Sequence, residues 1–292
     1  MAIPTEFFTK LTYSQKDTLK VVYLPIRKGV ISSRERKEPI FYDNNGEIIT
    51  REAYNLNKSL ERTKRTILEI ALCNEWQYFI TLTFDIKKYD SSNLDNAKSM
   101  IQYFERYLRE KNCKFIVIPE FHNDKKKIHF HGLISGELPI KDSGCVKLPN
   151  IKKPLKLETC QKRHYDLTSA KRIYNLPSWT YGFASVIKIG ESALDNVKIS
   201  QYLTKYVTKD LITDFNRHRY YCSKSLKRNK LINKEIVMIH DVESMVQKNF
   251  GKLISEYKSR YCVVQLYEKP NDIDFCYDAK KGVAKISETP PL

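Results

Sequence analysis

Two apolar runs, Lys114–Phe121 and Ile128–Ile134, flank the polar stretch His122–Lys127. They read as two strands joined by a turn, which commits this part of the chain to a sheet. A further strand is predicted at Phe79–Phe84, with the sequence FITLTF, and another at Phe183–Ile189. Helical spacing of apolar residues predicts helices over Asn57–Asn74, Asn93–Lys111 and Ser192–Leu211. The last of these opens on Ser192-x-x-Asp195, which resembles a capping box with Asp in place of Glu. The order β-α-β-β-α implies an α+β fold, a central antiparallel sheet carrying helices on one face. Short strands at Val21–Leu24 and Ile40–Tyr42 and a turn at Asp43–Gly46 are predicted before it. Residues 137–180 read as irregular, and beyond Phe250 only Tyr261–Tyr267 reads as a strand. The expected organisation is an N-terminal extension over 1–56, a main domain over 57–226 and a C-terminal extension over 227–292.

The charge balance points to a partner. The 292 residues hold 51 Lys and Arg against 34 Asp and Glu, a net charge of +17. Such an excess favours a polyanion, most often nucleic acid. No apolar run is long enough to span a bilayer, and the N-terminus lacks the charged start and apolar core of a signal peptide. Seven cysteines form no CxxC pair, which argues against a disulfide framework or a zinc ribbon and for a reducing cytoplasm. The basic helix over 57–74, with Arg62, Lys64 and Arg65, and the 137–180 insertion are expected DNA contacts.

His129-Phe130-His131 is the one HxH in the chain. Residues two apart on a strand point to the same face, so both imidazoles can meet one cation. If 120 opposes 129 or 131 across the hairpin, Glu120 and His122 join that face; a one-residue slip separates them. Two imidazoles and a carboxylate suit Mg²⁺, Mn²⁺ or Zn²⁺. The helix after Ser192 carries Tyr202-x-x-Lys205-Tyr206-x-x-Lys209. At about 100° per residue, Lys198, Tyr202, Lys205, Tyr206 and Lys209 share one arc, beside an apolar stripe of Ile199, Leu203, Val207 and Leu211. A phenol near an ammonium is suited to attack a phosphate. Each pattern alone carries little, since a second YxxxY occurs at Tyr103/Tyr107 and YxxK recurs along the chain.

The ordered set of FITLTF, Glu120…His129-Phe130-His131 and Tyr202-x-x-Lys205-Tyr206-x-x-Lys209 resembles the three motifs of HUH-superfamily rolling-circle replication initiators. The flanking Asn175-Leu176-Pro177-Ser178-Trp179-x-x-Gly182-Phe183 and Ser223-Lys224-Ser225-Leu226 resemble signatures of replication proteins of bacterial plasmids and phages. The resemblance covers roughly residues 57–226, and its paired tyrosines resemble those of microvirus A proteins. It implies a ferredoxin-like or RRM-like sheet and a metal-dependent endonuclease and strand transferase acting on single-stranded, melted or hairpin origin DNA. It also implies a Mg²⁺ or Mn²⁺ ion on His129, His131 and Glu120, with His122 as the alternative third ligand. Tyr202 and Tyr206 become the nucleophiles, Lys205 and Lys209 their companions, and Lys198 a DNA contact. Thr81 and Thr83 fall in a motif whose role is largely structural, with Ile80, Leu82 and Phe84 as sheet core. No G-x-x-x-x-G-K-[ST] loop is present, so a host helicase and polymerase are expected partners. Relaxases, which place their tyrosines before the histidines, shorter single-tyrosine transposases, and a non-catalytic nucleic-acid-binding protein are the competing readings.

Overall fold

A computed structural model describes residues 8–25, 40–43, 46–90, 93–121, 127–149, 151, 153–208, 219–237, 252–258, 263–269, 273–278 and 283–288. In chain order, strands β1 (Phe8–Ser14), β2 (Thr18–Pro25), β3 (Phe41–Tyr42) and β4 (Ile48–Ile49) precede helix α1 (Arg51–Leu72). Then come β5 (Tyr78–Phe84), α2 (Leu94–Glu110), β6 (Lys114–Phe121), β7 (Ile128–Ser135), β8 (Lys141–Lys147), β9 (Leu155–Lys156) and α3 (Leu157–Lys162). They are followed by β10 (Lys171–Asn175), β11 (Gly182–Lys188), α4 (Ala193–Leu203), a 3₁₀ turn at Thr204–Tyr206 and β12 (Tyr221–Cys222). The described elements end with strands β13 (Lys230–Val237), β14 (Leu253–Lys258), β15 (Val263–Glu268), β16 (Ile273–Asp278) and β17 (Val283–Glu288).

The chain divides otherwise than into three consecutive segments. One unit holds 40–71 and 75–226, and the other holds 1–39, 72–74 and 227–292. In the second, strands from both ends form a five-stranded sheet in the order β13-β1-β2-β15-β14. Val21 of β2 sits between Thr12 and Gln265 in register, and Leu19, Val21, Tyr23, Val263 and Tyr267 are buried. The Tyr267 hydroxyl donates to Gln265 Oε1 at 3.0 Å, and Gln265 Nε2 donates to Glu256 Oε2 at 2.6 Å, which keeps this polar pair satisfied inside the sheet.

The larger unit is an α+β structure built on an eight-stranded sheet in the order β12-β6-β7-β5-β11-β10-β8-β9. Its strands pair antiparallel throughout. Alternation along β5 explains its two faces. Ile80, Leu82 and Phe84 point one way and are buried, while Phe79, Thr81 and Thr83 point the other. Helices lie on both faces, which corrects the expectation of one. Phe104 of α2 packs on Trp179, which in turn packs on Phe84. On the opposite face Tyr202 and Tyr206 pack on Phe79. Asn93 caps α2, accepting from the Asp95 and Asn96 amides at 2.9 and 3.2 Å.

The region expected to be irregular, 137–180, instead contains β8, β9, α3 and β10, which extend the sheet and enclose a small core of Val146, Leu148 and Cys160. The strand predicted from Tyr261 onward is β15, and β14, β16 and β17 accompany it.

The flanking signatures have structural causes. Trp179 is buried, and its Nε1 donates to Thr83 O at 3.2 Å. A Cβ at Gly182 would fall on the backbone of Thr83, Phe84 and Asp85, so no side chain fits where β11 meets β5. Gly182→Ala is therefore expected to destabilise the fold by about 1–3 kcal/mol, read as a lower Tm in thermal denaturation. An unchanged Tm would show that β11 can shift without cost. Downstream, the Ser223 hydroxyl accepts from the Phe115 amide at 3.0 Å and the Ser223 amide donates to Phe115 O at 3.0 Å, closing the edge of β6.

Candidate active site

The pairing of β6 with β7 sets Glu120 opposite His129 and Ile118 opposite His131. The pairing of β7 with β5 sets Thr83 opposite His129 and Thr81 opposite His131. One sheet face thus carries Glu120, both histidines and both threonines. Gly132, next to the pair, allows this close register: a Cβ there would lie 2.7 Å from Ile116 O.

Each histidine is held by a threonine. Thr83 Oγ1 is bonded to His129 Nδ1 at 3.0 Å, and Thr81 Oγ1 to His131 Nδ1 at 3.1 Å. The other nitrogen of His131, Nε2, meets Glu120 Oε2 at 2.8 Å, a diagonal contact across the hairpin. These hydroxyls fix the rings and reserve Nε2 as the ligand atom. The polar positions of FITLTF thus orient the site, beyond the structural role expected of the motif. Their signal lies in the alternation, which places both threonines on one face.

Tyr206 lies over His131, the rings parallel to 10° with centroids 3.6 Å apart. Tyr202 stands at 87° to Tyr206, centroids 5.4 Å apart. The two phenols differ in setting because the helix ends between them. The α-helix stops at Leu203, and Thr204–Tyr206 tighten into a 3₁₀ turn. The expected α-helix to Leu211 is corrected accordingly. Four α-helical steps would leave the two tyrosines roughly 40° apart, whereas one α and three 3₁₀ steps separate them by roughly 100°. Tyr206 therefore turns onto the sheet and Tyr202 remains 42% exposed. Burial, then the Tyr202 hydroxyl and the Glu120 charge, push the Tyr206 phenol well above the usual tyrosine range. Lys205 is exposed, with Nζ 5.2 Å from the centre of the Tyr202 ring, a cation–π contact. Leu203 and Val207 are buried, anchoring the segment.

Of the remaining expected site residues, Lys198, Arg62 and Arg65 are exposed, and Lys64 is half-buried with Glu61 at 3.6 Å. His122 and Lys209 lie outside the described residues. Among the described residues no three His, Cys, Asp or Glu side chains stand grouped as an ion cage. The donor set still suits a divalent cation, because a carboxylate and two imidazoles fixed through Nδ1 share one face. Removing the Thr83 hydroxyl tests this arrangement. Thr83→Val is expected to raise the Mn²⁺ concentration needed for activity by about 10–100-fold, while Thr83→Ser is not. Equal Mn²⁺ dependence in the two variants would refute the orienting role.

Residues 77–211 match the family model for replication-associated proteins of the ORF2 and gene 2 protein type. The match spans just under half of the chain and begins one residue before β5. It includes Thr81, Thr83, Glu120, His129, His131, Tyr202 and Tyr206, and it supports a replication-associated protein. No curated protein and no solved structure matches the chain. No helix among the described residues is long and apolar enough to cross a membrane.

Proposed function

We propose that this protein initiates rolling-circle replication as a metal-dependent, site-specific endonuclease and strand transferase for single-stranded origin DNA. The observation that carries the proposal is the stacking of Tyr206 on His131, with Glu120 on the other side of the same imidazole. A nucleophile and a ligand set meet there on one sheet face, in the segment that matches the replication-associated family.

His129, His131 and Glu120 would hold a Mg²⁺ or Mn²⁺ ion, which supplies charge withdrawal from the non-bridging oxygens of the scissile phosphate. The residues perform the rest. Thr81 and Thr83 hold the imidazoles in orientation. A tyrosine Oη forms a bond to phosphorus and loses its proton, while the bond from phosphorus to the 3′ oxygen breaks and that oxygen takes up a proton. The products are a 5′-phosphotyrosine and a free 3′-hydroxyl that primes synthesis. The ester keeps the phosphodiester's bond energy, so rejoining needs no nucleotide. After one round the second tyrosine attacks the regenerated origin, and the released 3′-hydroxyl resolves the first link. The role in copying assigns a host helicase and polymerase as partners and the bacterial cytoplasm as the setting. The excess of basic residues supports the DNA substrate, and the exposed Arg62, Arg65 and Lys198 are proposed backbone contacts.

The test is incubation of the full chain with labelled single-stranded oligonucleotides and Mn²⁺, followed by denaturing electrophoresis. A denaturant-stable adduct that chelator prevents is the expected result. Binding without an adduct on any strand of a broad pool would reduce the protein to a nucleic-acid-binding module.

A further inference from the structure

The row of side chains through the site does not end at Thr83. On β11, Phe183 pairs with Thr83 of β5, which pairs with His129 of β7, which pairs with Glu120 of β6. Four adjacent strands therefore present Phe183, Thr83, His129 and Glu120 side by side on one face. Phe183 is 73% exposed, and among the described residues it is the one phenylalanine that stands so far out. It is fixed at its root, because the preceding Gly182 sits against the backbone of β5 with no room for a Cβ. Two strand spacings, about 10 Å, separate its backbone from that of His129.

The tyrosines occupy the other end of the same face. Tyr202 and Tyr206 pack on Phe79, which lies four residues, about 13 Å, along β5 from Thr83. A rigid aromatic face, a polar row and the two phenols thus lie along one short track.

We infer that Phe183 is a stacking platform for a nucleobase of the single strand whose phosphate is cleaved at His129, His131 and Glu120. This deepens the proposed function and rests on it. The chemistry of the occupant follows from the surroundings. An apolar ring set beside carboxylate, imidazole and hydroxyl groups suits a ligand that alternates charge with flat aromatic faces. A single-stranded nucleic acid does so, and base stacking on aromatic side chains tolerates any base. A platform here would anchor the strand on the side of the site away from the tyrosines and limit sliding of the scissile phosphate.

The experiment uses the full-length protein, a labelled oligothymidylate and a matching abasic strand with the same phosphates. Wild type is expected to bind oligothymidylate more tightly than the abasic strand. Phe183→Ala and Phe183→Leu should each weaken oligothymidylate binding by about tenfold or more and leave abasic binding unchanged. Phe183→Tyr should restore the preference. In the nicking assay the KM should rise in the Ala and Leu variants. Thermal denaturation should be unaltered, since the side chain is exposed. Wild-type preference in Phe183→Ala, or its retention in Phe183→Leu, would overturn the platform even if the protein nicks normally. A protein that forms no adduct but loses base-dependent binding on Phe183→Ala would overturn the nuclease reading and leave the platform standing.

Discussion

His131→Ala is expected to eliminate adduct formation while most single-strand binding survives. The His131 side chain is buried among three partners: Thr81 on Nδ1, Glu120 on Nε2 and Tyr206 against the ring face. Deleting the imidazole removes a ligand and also the surface on which Tyr206 rests. The two losses can be separated. His131→Phe keeps an aromatic ring for Tyr206, a stacking worth about 0.5–1.5 kcal/mol, but has no nitrogen for a cation or for Glu120. Both variants should lose nicking by at least about 10²–10³-fold, the scale of removing one preorganised charge-stabilising group. Only the Ala variant should also loosen the tyrosine segment, read as faster proteolysis near Leu203. His129→Ala and Glu120→Gln should follow the same pattern, and higher Mn²⁺ should partly rescue Glu120→Gln. Binding should persist in all of them, because single-strand affinity rests largely on phosphate contacts spread over the surface. Wild-type nicking by His131→Phe in chelator would refute both the metal and its ligands.

The parts of this site that local periodicity encodes are those legible in the sequence. Strands β5, β6 and β7 carry apolar alternation or near-continuous apolar runs, and the structure bounds them within a residue of expectation. The hairpin pattern allows two same-face registers, 120 against 129 or against 131, and the structure has the former. Strands β8 and β10 have no such signal, because KDSGCVK and KRIYN are polar and half-exposed at the end of the sheet, with no alternation to read. The pairing of Phe8–Ser14 with Lys230–Val237 joins residues more than two hundred positions apart, which no local pattern announces. The helix bearing the tyrosines is shorter than its sequence pattern implies. Its apolar stripe continues through Val207, but Thr204 turns its hydroxyl back to Gln201 O at 2.7 Å and Val207 is extended. That early end matters more than its length suggests, since it is what makes the two phenols unequal.

The inequality of Tyr202 and Tyr206 leads to the second large effect. Tyr202→Phe together with Tyr206→Phe should bind single-stranded DNA and form no adduct, a complete loss. The single variants should differ from each other. Tyr206 is stacked on His131 and half-buried, and its hydroxyl lies among Tyr202 and Glu120. Tyr202 is exposed, rests edge-on against Phe79 and has the Lys205 ammonium over its ring. On these positions Tyr206 is placed for the first attack, since its phenol already lies at the ligand set. Tyr202 is placed for the second, once the first is esterified. Tyr206→Phe should therefore cut the rate of first nicking more than Tyr202→Phe does. Both single variants should fail at multi-round copying with circle release, because the second transfer needs a free phenol. Peptide mapping of the trapped adduct reads the order directly: early adduct on Tyr206, later adduct on both. Complete replication by Tyr202→Phe would make the protein a single-tyrosine initiator, and an adduct at the buried Tyr221 would remove this segment from the chemistry altogether.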